Sequence, residues 1–201
     1  MQHNSQFLEE YNDFKQNFFS VLDKLDYKKL DTLIKKLIHI RKNSGRLFLA
    51  GMGGSAANAS HASNDFRKIC GINAICLTDN ISEFSARIND EDQDEIFVNI
   101  IKIHEINQND LVIVLSVGGG SLENNTSINL VKLLKYAKSK STNTCSITGK
   151  SKCLVKQYSD IFIDFNLDKN EMITPLAESL QVYLWHFICS NEKLMMNKTK
   201  W

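Results

Sequence analysis

Residues 46–61, RLFLAGMGGSAANASH, run from a short apolar segment straight into glycines, a serine and alanines. The apolar run has the length of a strand, and the small residues after it open a stretch that reads as a helix over 54–67. A strand that hands over to a helix through Gly51, Gly53 and Gly54 is the building unit of a parallel α/β sheet. Working outward, further strands are predicted at 73–77, 111–116, 143–148 and 161–165, with helices at 80–104 and 121–138 between them. The segment LVIVL, 111–115, is apolar on both faces, as a strand covered from both sides must be. Upstream, Phe7, Leu8, Tyr11, Phe14, Phe18, Phe19 and Leu22 recur at three- and four-residue steps, which predicts a helix over 5–24. A second helix over 28–43 carries Leu30, Leu33, Ile34, Leu37 and Ile38, and KNSG at 42–45 stops it. A closing helix is expected over 175–195. The fold class is α/β: a three-layer α/β/α sandwich around a doubly wound, five-stranded parallel sheet, with two N-terminal helices and a C-terminal one. All of 1–201 is expected to form one domain, with 1–44 a helical segment able to pack against another subunit.

The bulk numbers narrow the function classes. A chain of 201 residues, 43% hydrophobic and 23% charged, suits one folded core and lacks the signature of disorder. Its 24 basic and 23 acidic side chains leave a net charge of +1. No global field gathers nucleic acid or an anionic membrane, so any anion must be held locally. The polar start MQHNSQFLEEYNDF has no signal-peptide pattern, and no apolar run reaches membrane-spanning length. A cytoplasmic location without a membrane partner is the expectation. Five cysteines, at 70, 76, 145, 153 and 189, form no CxxC pair and read as reduced, mostly interior thiols.

Most of the nine glycines fall in 45–54 and 118–120. GMGGSA follows the first strand and SVGGGS follows LVIVL, so both loops sit at strand carboxyl ends, where open parallel sheets bind ligands. Glycine lets backbone N–H groups approach a phosphate closely, and Ser55, Ser116 and Ser121 add hydroxyls. Tight turns in any α/β domain also use glycines. Gly51-x-Gly53-x-x-Ala56, with Asp79 further on, also satisfies a dinucleotide fingerprint. That fingerprint leaves the second glycine-serine loop unexplained, and neither loop has the lysine of a nucleotide-triphosphate loop.

The residues of the first loop, GMGGSAANASHASNDF, resemble the GNGGSAADAQH motif of the SIS (sugar isomerase) domain proteins, specifically the phosphoheptose isomerases. The likeness continues through CLTDNISEFSARIND at 76–90, DLVIVLSVGGGSLENNTSINLVKLLKYAKSK at 110–140 and TPLAESLQVYLWHFIC at 174–189. The resemblance implies an aldose–ketose isomerase that converts sedoheptulose 7-phosphate to a heptose 7-phosphate through an enediol. It implies that Met52, Gly53, Gly54, Ser55, Ser116, Gly118, Ser121 and Glu178 bind the sugar phosphate, and that Asn89 and Asp90 match an Asn-Asp pair lining the substrate pocket. It also implies a homotetramer with sites between subunits. The chain departs from that pattern in four places. Met52 replaces an Asn, Val117-Gly118-Gly119-Gly120 replaces Thr-Ser-Gly-Asn, Asp65 replaces a Glu and Glu178 replaces a Gln. The lost hydroxyls and the shortened Asp65 favour an alternative: a non-catalytic SIS protein that binds phosphosugars or a protein partner.

His61 and Asp65 are four apart on a predicted helix and so share a face. The resemblance adds Glu178 and His186 to them as a zinc site. Two imidazoles and two carboxylates suit Zn²⁺. Glu178 and His186 would nonetheless lie about 12 Å apart on an ideal helix, too far to share one ion unless Glu178 precedes the regular helix or a different subunit contributes. Isomerisation needs a base and an acid, and Asp65 and His186 are the natural pair. A lone helical histidine is usually a packed or surface residue. His186 differs in standing within the otherwise apolar YLWHFIC, where an unpartnered imidazole is costly. His3, His39 and His104 read as solvated surface residues.

Overall fold

The computed structural model describes residues 2–168 and 171–198, with side chains from Ser5 onward. Two helices, α1 (Gln2–Leu22) and α2 (Tyr27–Lys42), precede the first strand. Asp26 caps α2 by accepting from the Lys28 N–H, and the chain turns out of the helix with Gly45 N–H donating to the Ile40 carbonyl at 2.8 Å. Then come β1 (Arg46–Ala50), α3 (Gly54–Lys68), β2 (Asn73–Cys76), α4 (Ile81–Asp90), α5 (Ile96–Lys102) and β3 (Leu111–Ser116). The chain continues through α6 (Ile128–Ser139), β4 (Asn143–Thr148), a 3₁₀ turn (Leu154–Tyr158), β5 (Ile161–Asp164) and α7 (Ile173–Cys189).

The five strands form one sheet in the order β2-β1-β3-β4-β5, every neighbouring pair parallel. Alternation along the strands divides the core in two. Leu47, Leu49, Leu111, Ile113 and Leu115 pack under α1, α2, α3 and α7, whereas Phe48, Ala50, Val112 and Val114 pack under α5 and α6. Each such fully buried large side chain contributes about 1.5–3 kcal/mol. This is the expected doubly wound three-layer sandwich. Neighbours β1 and β3 send their chains to opposite faces, through α3 and then α6, so the crevice at their carboxyl ends is the sheet's switch point.

Three expected helices differ in extent. The one predicted over 80–104 is two, α4 and α5, because EDQDE at 91–95 has no apolar face. Asp92 instead accepts from the Asp94 N–H, and Lys132 of α6 pairs with Asp92, Asp94 and Glu95. The helix predicted over 121–138 begins only at Ile128. Before it, Ser121 and Thr126 form an antiparallel bridge, and Asn125 and Ser127 take φ of 46° and 54°, which a helix cannot accommodate. The closing helix ends at Cys189; beyond it the Met196 and Asn197 N–H groups donate to the Ile69 carbonyl, tying the tail to the end of α3.

Of the three histidines expected in solvent, His39 is exposed, while the side chain of His3 lies outside the described residues. His104 is a correction. Its ring packs on Phe48 at 5.1 Å between centroids, and burial together with the Arg46 charge lowers its pKa. Cys70, Cys76, Cys145 and Cys189 are buried and Cys153 is half-buried, all as free thiols.

Candidate active site

Both glycine loops flank the switch-point crevice, but they are built differently. After β1 the turn is short. Gly53 takes φ +58°, a conformation that favours glycine, and α3 starts at the next residue. Gly51 lets the strand end pass the first turn of α3, since a Cβ there would lie 2.5 Å from the Ser55 carbonyl group. A cavity of about 380 Å³ opens beside this loop, lined by Gly51, Met52, Gly53, Ser60, Thr78 and Asp79 among others. After β3 the loop is long. The Ser116 hydroxyl accepts from the Gly119 N–H at 2.9 Å, and Gly119 and Gly120 take φ of 69° and 87°. Across the crevice, Met52 Sδ accepts from Asn129 Nδ2 at 3.7 Å.

Helices α3 and α7 lie side by side and parallel, and their contacts run in step. Gly54 meets Glu178, Ser55 meets Gln181, Asp65 meets Trp185 and His186, and Cys70 meets Cys189. A buried amide sets this register. Gln181, 1% exposed, donates to the Ser55 hydroxyl at 3.1 Å and accepts from Asn58 Nδ2 at 2.9 Å, which also reaches the Glu178 carbonyl.

The register brings together His61, Asp65 and His186, whose candidate ligand atoms all lie within 4.8 Å of one another. Asp65 Oδ2 is 3.6 Å from His61 Nε2 and 3.4 Å from His186 Nε2. Both imidazoles are about half exposed, at 54% and 48%, while Asp65 is buried. Two imidazoles and a carboxylate are a donor set that fits a zinc-like cation. Behind them the Cys70 and Cys189 thiols meet. That contact lowers the Cys70 pKa and, together with burial, raises that of Cys189.

The remaining predicted site residues fall elsewhere. Glu178 is not part of the trio: eight residues before His186 on the same helix, it is held about 12 Å away. Its carboxylate fills the space a Cβ on Gly54 would occupy, so it covers the start of α3. The Ser55 hydroxyl is buried against Gln181, and that of Ser116 is engaged inside its own loop. Ser121 accepts from the Asn124 N–H. Gly118 has open space around it, and Gly53 likewise. Asn89 and Asp90 end α4 in solvent, bonded to each other at 2.7 Å, and do not line the 380 Å³ cavity. A larger hollow of about 460 Å³ lies between α1, α2 and the end of β5, and the trio lines neither it nor the 380 Å³ cavity. Sequence reasoning missed Trp185 and Gln181, buried polar-tipped side chains on α7 whose partners lie 120 and 126 residues away.

A sequence model of the SIS domain matches residues 10–149. The lincomycin biosynthesis protein LmbN of Streptomyces lincolnensis is 30% identical over 151 residues, 72% of this chain, which spans 54% of that protein's length. A phosphoheptose isomerase of Helicobacter pylori is 28% identical over 160 residues, covering 76% of this chain and 77% of its own. Among solved structures, the phosphoheptose isomerase of Neisseria gonorrhoeae superposes with a TM-score of 0.77 at 19% identity, over 92% of this chain and 96% of that one. The parallel sheet, its switch-point loops and the match over most of their length agree: the chain belongs to the SIS domain family.

Proposed function

We propose that this chain is a sugar-phosphate aldose–ketose isomerase of the phosphoheptose isomerase type, working through an enediol. The observation that carries the proposal is the His61–Asp65–His186 cluster on α3, which begins at the switch-point crevice, and α7, which packs beside it. Isomerisation moves one proton between adjacent carbons. Asp65, as the base, takes the proton beside the carbonyl, and His186 returns one to its neighbour. The hydroxyl proton passes to the former carbonyl oxygen, and Asp65 hands its proton to His186, so that both groups end as they began. Their facing atoms are 3.4 Å apart, so one small reacting group meets both. The aspartate is short, yet helical spacing sets it beside His61 and the parallel packing of α3 and α7 brings it to His186.

The distances support an extended, open-chain substrate. His61 stands about 10 Å along α3 from Gly54, so a ligand touching both the trio and the loops is long. A helix N-terminus favours an anion, and the Glu178 carboxylate already lies at that of α3. The phosphate therefore belongs to the second loop, Ser116 to Ser121, with Gly118 the open position. Glu178 and the first loop at Met52, Gly53 and Gly54 take the hydroxyl-bearing portion, where a carboxylate accepts from hydroxyls, while the buried Ser55 hydroxyl stays with Gln181.

His61, Asp65 and His186 would hold Zn²⁺, which when bound polarises a carbonyl. Asp65 Oδ2 and His186 Nε2 are the atoms wanted both for the ion and for proton transfer, so activity is to be compared with and without zinc. Phe7, Leu8, Tyr11 and Phe19 of α1 and Tyr183 and Phe187 of α7 are exposed apolar side chains, and they support assembly as a homotetramer through the N-terminal segment. Asn89 and Asp90, in solvent here, would then serve a neighbouring subunit's site.

The test is deuterium uptake from D₂O into sedoheptulose 7-phosphate, followed by NMR. Label at the carbon beside the carbonyl is expected, falling about 10²–10⁴-fold in Asp65→Ala and His186→Ala. Activity that survives both substitutions overturns the acid–base pair. No exchange despite binding would replace the isomerase by a phosphosugar-binding protein.

A further inference from the structure

We infer that Trp185 is a positioning residue: its indole N–H holds the Asp65 carboxylate turned toward His61 and His186. The inference rests on the reading of the trio given above. Asp65 Oδ2, the oxygen approached by both imidazoles, accepts from Trp185 Nε1 at 3.3 Å, while Oδ1 accepts from Asn64 Nδ2 at 3.2 Å. The two donors occupy different oxygens, so they fix the plane of the carboxylate as well as its place. An aspartate stays close to its own helix, and its useful oxygen must face α7. Trp185, which α7 itself supplies, provides that pull.

The indole is well placed for this task. Trp185 is 4% exposed, and its ring lies 5.4 Å from that of His61 and 5.0 Å from that of His186. The imidazoles it serves thus confine it to one orientation. An indole donates through its N–H and does not accept, and it neither ligates a metal nor gives up that proton to a substrate, so it acts only through Asp65. Groups that orient a ligand in this way typically change metal affinity 10- to 100-fold when removed.

Two measurements test the inference. Zinc affinity is measured by competition with a chromophoric chelator for the wild type, Trp185→Phe, Asp65→Ala and the double variant. Trp185→Phe keeps an aromatic ring and is expected to weaken zinc about 10-fold or more. In the Asp65→Ala background it should change nothing further. Equal affinities of wild type and Trp185→Phe overturn the inference, and so does an equal loss in both backgrounds, which marks packing alone. Independently, the ¹⁵N-indole resonance of Trp185, identified as the one that remains in Trp201→Phe, should shift in Asp65→Ala. This second readout leaves the tryptophan in place, so it decides the matter if Trp185→Phe does not fold. Should the wild type take up no zinc, the metal reading fails by itself. The indole signal then still decides: a shift sustains the inference, and an unmoved resonance overturns it.

Discussion

Strands β1 and β3 begin and end in opposite ways. Where they begin, Arg46 and Asp110 lock the pair: Asp110 Oδ1 accepts from the Arg46 N–H at 2.8 Å and from its Nε at 3.1 Å, and Oδ2 accepts from Nη2 at 2.7 Å and from the Asn107 N–H. Arg46 Nη1 also reaches the His104 carbonyl, and its guanidinium lies over Phe48. Where the strands end, the backbone is short of side chains, and nothing lies within 4 Å of the place a Cβ on Gly53 or Gly118 would take. One end is closed by charge and hydrogen bonds, while the other keeps free volume beside bare peptide groups. The difference assigns stability to the amino ends and ligand binding to the carboxyl ends, as the geometry of an open parallel sheet requires.

The largest expected effect is at the closed end. Asp110→Ala leaves the Arg46 guanidinium and the Arg46 and Asn107 N–H groups without their acceptor, and removing one member of such a buried pair costs about 3–5 kcal/mol. Urea unfolding measures it. Burial alone would raise the Asp110 pKa, but the hydrogen bonds from Arg46 and Asn107 outweigh that and hold it below its ordinary 3.8. A carboxylate whose folded pKa is depressed contributes stability above its unfolded pKa and loses it as pH falls through the folded one. The gap between wild type and Asp110→Ala should therefore be full at neutral pH and close below about pH 4. A gap that does not change with pH would show that packing, not charge, closes this end.

A smaller loss of stability is expected at the open end. Gly119 has φ +69°, and a Cβ on it would lie 2.5 Å from Cys153 Sγ. Gly119→Ala combines left-handed strain with overpacking, about 2 kcal/mol together. Thermal unfolding checks the loss. An unchanged midpoint would mean that the second loop is free to shift away from Cys153, and the contrast between the two ends would then be one of mobility as well as of chemistry.

The two ends also differ in how readable they are. Strand positions are legible because LFLA and LVIVL are apolar at every position, which only a doubly covered strand requires. The glycine loops follow from their place after those strands. Helix starts are less legible where polar residues replace a stripe, as in EDQDE and SLENNTS, whose turns are set by Lys132 and by the Ser121–Thr126 bridge rather than by neighbours in sequence. Within the site, His61 and Asp65 can be paired because helical spacing joins them, and the same spacing already argues against Glu178 joining His186. Trp185 and Gln181 cannot be placed, since their partners lie on α3 and nothing local reports that α3 and α7 pack in parallel. The Arg46–Asp110 lock, 64 residues apart in sequence, is invisible for the same reason.

The smallest expected change in stability separates the two jobs of the second loop. Gly118 differs from Gly119 in having an ordinary φ and nothing within 4 Å of the place a Cβ would take, so its lack of a side chain answers to no packing demand. Gly118→Ser should leave stability within about 0.5 kcal/mol. It adds a hydroxyl donor to the one open position of a loop whose Ser116 hydroxyl is already engaged. If the phosphate sits at this loop, the added donor lowers KM for the sugar phosphate about 10-fold, since one hydrogen bond to a charged group contributes about 1.5 kcal/mol or more. If KM rises instead, the space beside Gly118 is filled by the substrate itself, and the bare backbone there serves shape rather than hydrogen bonding. Either outcome would come from the carboxyl end alone, because a change at Gly118 touches nothing that Arg46 and Asp110 hold.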